Sequence, residues 1–446
     1  MTGDETARKT ACFADLGREL ARLSGTTAVG GAEPMAFWVP GRIEVLGKHT
    51  DYGGGRSLLC AVERGLCVLV QARGDPSPAA PFGTRVRVRD AVSGETTAFE
   101  LSPDVASVPG HWSNYAITVS RRIAMNFGGP LRGADIVFAS DLPRAAGVSS
   151  SSALVVAVFL ALSAANDLPA RAEYRDNIHT LEDLGGYLGG VENGLAFKAL
   201  AGHAGVGTFG GSEDQTAILC ARPRSLVQYS FCPVTFERAI ALPAGYSFVI
   251  AASGVMAEKT GAALADYNRV SRRLSVGLEC WRRATGRDDV SMGAAIASSS
   301  QARDEIRNVL ADATDVEYTS ASLLARFDQF DAEANEIIPA AGDALARGDL
   351  EEFGTLVGRS QAGAERGLNN QTPETMTLVR HARALGAVAA SAFGAGFGGS
   401  VWAMVELPRV EAFRQGWSDL YHAAHPEAAR SAQFFASAAG PAATRV

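Results

Sequence analysis

The stretch Asp141-Leu-Pro-Arg-Ala-Ala-Gly-Val-Ser-Ser-Ser-Ser-Ala-Leu154 decides the fold. It reads as a turn, a loop of small residues, and the first turn of an apolar helix over Ala153–Ala165. The strand-like run Ala134–Ala139 ends here, because a residue preceding proline is pushed out of the helical region. The serines supply an N-cap and free backbone N–H groups at a helix start, where about half a positive charge accumulates. Small side chains let an anion approach that backbone. The reading is a phosphate cradle, although no Gly-x-x-x-x-Gly-Lys-Ser/Thr loop occurs in the chain. Taken alone, the run is equally a merely capped helix.

Bulk properties narrow the classes. A chain of 446 residues exceeds what one core usually supports, so two domains are expected, residues 1–235 and 236–446. Hydrophobic residues make up 47% and charged residues 20%, as in a folded globular protein. A net charge of −7 gives no electrostatic case for nucleic acid or an anionic membrane as partner. No apolar run reaches the roughly 18 residues of a membrane span, and the N-terminus lacks a signal peptide's apolar core. Cys12, Cys60, Cys67, Cys220, Cys232 and Cys280 show no close metal-type pairing and read as buried free thiols in a reducing cytoplasm.

Strand and helix patterns alternate along the chain. Helices are expected at Glu5–Leu23, Trp112–Asn126, Ala172–Phe197 with Glu192 near its end, Gly261–Arg282, across Ala294–Arg347 and at Leu350–Ala362. Strands are expected at Ala36–Pro40 continuing through Ile43 and Val45, and at Gly65–Arg73, Arg85–Arg89, Thr96–Leu101 and Asp135–Ala139. Further strands are expected at Ser225–Phe231, Phe236–Ala241, Tyr246–Ala252, Ala387–Ala392 and Val401–Val405. This argues an α+β fold with antiparallel strands in each half. Two further loops stand out. Arg42, Glu44, Lys48, His49 and Asp51 crowd a strand-to-loop junction, which favours a binding site over a solvated face. Phe393-Gly-Ala-Gly-Phe-Gly-Gly-Ser-Val-Trp402 is a glycine loop between two strands.

Together the three loops are far more specific than any one. Pro40-Gly-Arg-Ile-Glu-Val-Leu-Gly-Lys-His-Thr-Asp-Tyr-Gly-Gly-Gly55 resembles the galactokinase signature. Leu142–Ser151 is similar to the nucleotide-phosphate loop of the wider family of galactokinase, homoserine kinase, mevalonate kinase and phosphomevalonate kinase, and Gly394–Gly399 to its third motif. Trp112–Tyr115, Asp214-Gln215, Tyr267, Arg272-Arg273 and Gln371–Glu374 extend the galactokinase resemblance over residues 35–440.

The resemblance implies a two-domain ATP-dependent kinase with its active site in the interdomain cleft, acting on a sugar's anomeric hydroxyl. It implies ATP held by Gly147, Ser149, Ser150, Ser151, Ser152 and Gly396, and Mg²⁺ held by Ser151 and Glu192. Phosphoryl transfer needs positioning and cancellation of phosphate charge, and Mg²⁺ prefers one or two protein oxygens plus waters. The plain alternatives are an N-cap serine and a surface glutamate. By the same resemblance Asp214 is the catalytic carboxylate and Arg42 its partner, with His49, Asp51, Tyr267 and Gly211 contacting sugar. A guanidinium beside a carboxylate keeps it ionised and screens an approaching phosphate. Without the other motifs, Asp214 would be a loop cap and Arg42 a surface ion pair.

The pattern breaks at Lys48, where galactokinases usually carry glutamate facing the sugar's terminal hydroxymethyl. A lysine there pairs with a carboxylate or phosphate, so the expected substrate is an anionic sugar, a uronic acid or a long-chain sugar phosphate. The alternative is an ordinary galactokinase whose Lys48 points to solvent. Glu44 replaces the usual asparagine and neutralises Lys48 on the plainest reading. A sugar-sensing regulator on the same fold is a further alternative, though all four serines and Asp214 are present. An alcohol kinase of the mevalonate or homoserine type fits His49–Tyr52 and Asp214-Gln215 less well. The expected assembly is a monomer, with a dimer left open.

Overall fold

The computed structural model describes residues 3–25, 33–74, 83–143, 146–256 and 264–446. Arg144 and Ala145 of the serine loop, and the first three residues of the helix expected from Gly261, lie outside the described residues.

The first half is a sheet of eight strands. β1 (Met35–Leu46), β2 (Arg56–Ala72), β3 (Arg85–Asp90), β4 (Thr96–Glu100), β5 (Ala134–Ser140), β6 (Ser225–Ser230) and β7 (Thr235–Ala241) are joined by β12 (Thr444–Arg445) from the chain's end. Every pairing is antiparallel except β3 with β5. Helices α1 (Gly3–Ser24), α2 (Ser113–Asn126), α3 (Ser150–Asn166), α4 (Ala172–Asn177), α5 (Leu181–Asn193) and α6 (Glu213–Cys220) belong to this half. α3 is apolar nearly all round and correspondingly buried nearly all round, so it serves as the central post.

The second half has four antiparallel strands in the order β11 (Gln433–Ser437), β8 (Tyr246–Ala252), β10 (Ser400–Glu406) and β9 (Ala389–Phe393). Its helices are α7 (Leu264–Thr285), α8 (Met292–Ala297), α9 (Ala302–Ala311), α10 (Ser320–Asp331), α11 (Ile338–Arg347), α12 (Leu350–Gly363), α13 (Pro373–Ala384) and α14 (Val410–Ala424). Two π-helical segments, Ala332–Ile337 and Ala364–Leu368, continue α10 and α12. Among the described residues no helix is long and apolar enough to cross a membrane.

Three expectations are corrected. The helix expected over Ala172–Phe197 is two helices, because Thr180 turns extended and its side chain caps α5 by accepting from the Asp183 N–H. The boundary at residue 235 cuts the β6–β7 hairpin, whose strands both belong to the first sheet. The division falls after Ala241, and the chain's end returns to pair Thr444 with Trp38 on β1. The halves also share one apolar cluster: Phe248, Ile250, Trp402 and Met404 pack in the same core as Val39 and Leu59. All six cysteines are free thiols; Cys60, Cys67, Cys220 and Cys280 are buried, Cys12 is partly covered and Cys232 is exposed.

Candidate active site

β1 sets the site. Its pairing with β2 is interrupted between Pro40 and Arg42 and again between Glu44 and Leu46. Proline removes a ladder donor, and irregularities of this kind re-aim side chains. Arg42 and Glu44 are two residues apart and so share a face, while Ile43 and Val45 turn into the core. A Cβ on Gly41 would sit 2.7 Å from the Val148 carbonyl oxygen, so only glycine lets the strand approach the serine loop this closely.

Arg42 is 2% exposed. Its Nε lies 2.8 Å and its Nη2 2.6 Å from Asp214 Oδ1, and Nη1 donates to the Gly147 carbonyl at 2.5 Å. Burial alone would lower the guanidinium's pKa, but the Asp214, Glu213 and Glu44 carboxyls outweigh it and raise it. The serine loop is thus tied to the first motif through one side chain.

α3 starts at Ser150, three residues earlier than expected. Ser149 caps it in the left-handed region at φ 57° without a side-chain capping bond, and its buried Oγ has no hydrogen-bond partner. Gly147 and Gly399 are likewise left-handed, and Ser400 Oγ donates to the Ala146 carbonyl, which holds the third motif against the serine loop. Gly396 cannot carry a side chain either, since its Cβ would meet Asn370 Nδ2 at 2.4 Å.

Ser152, not Ser151, reaches the acidic side chains. Its Oγ lies 2.9 Å from Glu192 Oε2 and 3.2 Å from Asp214 Oδ2. Side chains three and four apart share a helix face, so a start at Ser150 turns Ser152 inward and leaves Ser151 at the edge. Gln215 Nε2 also donates to Glu192 Oε2 at 2.6 Å, while Gln215 Oε1 is buried without a partner.

Asp51, on a short 3₁₀ turn, accepts the Glu213 N–H on Oδ2 at 3.0 Å and so fixes the start of α6. A Cβ on Gly211 would come within 2.3 Å of that same oxygen. His49 sits at φ 58° with Nδ1 3.1 Å from Tyr52 Oη and Nε2 3.0 Å from the Ala395 carbonyl. Tyr267 on α7 places its ring 5.5 Å from the His49 ring. Asn193, which the sequence reading passed over, organises the glycine segment: Oδ1 accepts Thr208 Oγ1 and the Gly210 N–H, and Nδ2 donates to Gly211 O. Its only sequence signal is adjacency to Glu192.

These groups line one cleft of about 480 Å³ including its mouth. Arg42, His49, Asp51, Ser152, Glu192, Gly211, Asp214 and Tyr267 are all on its wall, together with Glu44, Tyr52, Asn193, Glu213 and Gln215. Gly147, Ser149, Ser150, Ser151 and Gly396 are not among the lining residues. Among the described residues, Arg42 is the one Lys or Arg side chain that lines it.

Lys48 is turned away, contrary to both sequence expectations for it. It is 1% exposed, and its Nζ donates to Ser360 Oγ at 3.0 Å behind the wall. Ser360 in turn donates to Glu333 Oε1, which also accepts the Gly47 N–H. A buried ammonium requires partners, and Lys48 finds them in this network and in the charge of Glu44. Glu213, missed in the sequence reading, is 6% exposed and accepts Ser57 Oγ at 2.5 Å.

Family models match in the same places. The description GHMP kinases N terminal domain covers residues 114–203, Galactokinase galactose-binding signature covers 27–72, and GHMP kinases C terminal covers 343–423. A galactokinase of Roseiflexus sp. (strain RS-1) is 30% identical over 387 residues, 86% of each chain. A galactokinase of Chloroflexus aggregans is 28% identical over 375 residues, 84% of each chain. Among solved structures, Lactococcus lactis galactokinase complexed with galactose matches 97% of this chain and 100% of its own at TM-score 0.75 and 22% identity, which bears on the fold. With relatives similar over nearly their whole length, and with the three loops gathered on one cleft, the chain belongs to the galactokinase family and is an ATP-dependent sugar kinase.

Proposed function

We propose that the protein transfers the terminal phosphoryl group of ATP to the anomeric hydroxyl of a neutral, galactose-like monosaccharide. The carrying observation is the continuous contact Arg42–Asp214–Ser152–Glu192, which joins the polyol end of the cleft to the start of α3. The galactose named in the relative's structure belongs to that protein; here the wall of Asp51, His49 and Tyr267 favours such a polyol, since each hydroxyl donates and accepts.

Asp214 accepts the hydroxyl's proton as transfer proceeds, and Arg42 keeps that carboxylate ionised while countering phosphate charge. The start of α3 holds ATP's phosphates, with the buried Ser149 Oγ left free to donate to a phosphate oxygen and Ser150, Ser151 and Gly147 keeping the backbone approachable. Gly396 serves by packing the third motif against Asn370. Mg²⁺ fits the donor set: Ser152 and Glu192 offer hard oxygens, with Ser151 beside them. Among the described residues no three His, Cys, Asp or Glu form a cage, which suits an ion completed by phosphates and water. When bound, Mg²⁺ cancels phosphate charge. The anionic substrate expected from Lys48 finds little support in the described wall: the Lys48 ammonium is engaged by Ser360, and the Arg42 guanidinium is engaged by Asp214.

The test is ATP consumption against a panel of galactose, galacturonate and long-chain sugar phosphates. Turnover led by galactose is expected. Preference for an anionic sugar overturns the neutral assignment, and sugar binding without any turnover favours the sensor.

A further inference from the structure

Arg326 stands on α10 in the second half and is fully buried. It is not on the cleft wall, yet it reaches the sugar end from behind. Nη2 donates to the His49 carbonyl at 2.5 Å and to Tyr52 Oη at 3.0 Å. Nη1 donates to Gln329 Oε1 at 2.5 Å, and Gln329 Nε2 donates to the Lys48 carbonyl at 3.3 Å. Arg326 and Gln329, one turn apart, thus hold two consecutive carbonyls of the loop after β1. His49 is left-handed there at φ 58°, a conformation that persists in an L residue where its surroundings over-determine it.

From Tyr52 the contacts run on into the third motif. Tyr52 Oη is 3.1 Å from His49 Nδ1, and His49 Nε2 is 3.0 Å from the Ala395 carbonyl, which Asn370 Nδ2 also reaches at 3.2 Å. Both ends of this chain fix its hydrogens, because a guanidinium only donates and a carbonyl only accepts. Nε2 must therefore carry a proton. Tyr52 Oη accepts from Arg326, and among its described contacts its own proton has one acceptor, His49 Nδ1. A charged ring would make Nδ1 a second donor against Tyr52 Oη, leave the phenol proton unplaced, and set two cations on one oxygen. We propose that Arg326 and Tyr52 are positioning residues that hold His49 as a neutral ring protonated at Nε2, and so clasp the sugar loop to the third motif before either substrate enters. The inference rests on the sugar-binding role proposed for this end of the cleft. Ala395 lines the cleft with His49, and left-handed glycines flank it on both sides. Such glycines leave the backbone free, so the bonds to the Ala395 carbonyl set where the loop lies.

The experiment pairs ¹⁵N NMR of histidine-labelled enzyme with the kinetics of galactose and ATP in wild type, Tyr52→Phe and Arg326→Lys. The His49 signals are picked out among the seven histidines by their loss in His49→Gln. In wild type at neutral pH, His49 Nε2 should be protonated and Nδ1 an unprotonated acceptor. Tyr52→Phe removes only the hydroxyl and should move Nδ1 to the shift of a nitrogen with no donor. In both variants KM for galactose should rise up to about tenfold and KM for ATP less, with kcat per folded enzyme within about twofold, since Arg42 and Asp214 are untouched. A purely structural role would instead lower the folded fraction and leave both KM values in place. Should Arg326→Lys not fold, Tyr52→Phe gives the same readouts. A proton on His49 Nδ1 in wild type, or unchanged KM values in the folded variants, overturns the proposal. Wild type inert toward every sugar overturns the proposed function; the nitrogen shifts, read without turnover, then decide the clasp by themselves.

Discussion

The two ends of the cleft are built from different materials. The end proposed to hold phosphate, which reaches the cleft wall through Ser152, Gly394 and Ala395, is backed by small residues: left-handed Gly147, Gly394, Gly396 and Gly399, a left-handed Ser149 and its unpartnered hydroxyl. The sugar end is charged side chains taken out of water: Arg42, Glu44, Asp51, Glu213 and, one layer back, Lys48 and Glu333. Backbone cradles depend on local dihedrals and tolerate changes around them. Buried charges depend on partners from elsewhere in the chain, and removing one partner leaves the other uncompensated. In the first kind of site each loop's conformation is set within its own few residues; the second exists only when the segments of Arg42–Asp51, Glu213 and Glu333 meet.

The sharpest way to break the comparison is at the joint between the ends. Asp214→Asn keeps the shape but cannot accept a proton, so kcat should drop by roughly 10²–10⁴ with the fold intact. Near wild-type kcat with galactose would remove Asp214 from the chemistry. Next is Lys48→Met. If Lys48 serves the wall and not the sugar, it should cost about 3–5 kcal/mol of stability, because Glu44 loses its compensating charge. Adding Glu44→Gln should recover part of that loss, and the galactose-to-galacturonate ratio should stay put. Denaturant titration with both sugars decides it; a ratio that shifts toward galactose returns Lys48 to the substrate.

A third prediction concerns pH. Glu44 titrates ordinarily at 4.5 and in the folded protein at about 7, so the native state holds the proton more tightly than the unfolded chain. Stability from this group is intact below about pH 4.5 and is lost as pH rises toward 7. Relative to wild type, Glu44→Gln should therefore gain up to about 3 kcal/mol across that window, visible as diverging Tm curves. Parallel curves would show that the carboxyl is not perturbed. The smallest effect belongs to the phosphate end. Ser149→Ala removes a hydroxyl that is buried and unpartnered in the free protein, so Tm should hold or rise slightly while KM for ATP rises several-fold, about 1 kcal/mol of lost binding. An unchanged KM would show that the Oγ does not face phosphate.

Much of the fold was legible because its signals are local. Strand alternation in Ile43 and Val45, the apolar run after Ser152 and the break at Asp141-Leu-Pro each depend on neighbours within one or two turns. The split between α4 and α5 was missed because Thr180 and Asp183 signal a cap only weakly against a continuous helical period. The placement of β7 and β12 was missed because pairing partners far apart in sequence leave no periodic trace. At the site, Ser152 rather than Ser151 meets Glu192 because helix phase is fixed by where α3 begins, and a one-residue change rotates a side chain by about 100°.

By itself the sequence determined which chemistries were present: a serine-rich helix start, an arginine and an aspartate suited to pairing, and a lysine where charge was unexpected. Only the tertiary structure decided where each charge points. A lysine's orientation is set by the free energy of burying an ammonium, and that depends on Ser360, Glu333 and Glu44 gathering around it from distant parts of the chain. No local pattern encodes that gathering, which is why Lys48 read as a substrate contact in the sequence and is a wall support in the folded protein.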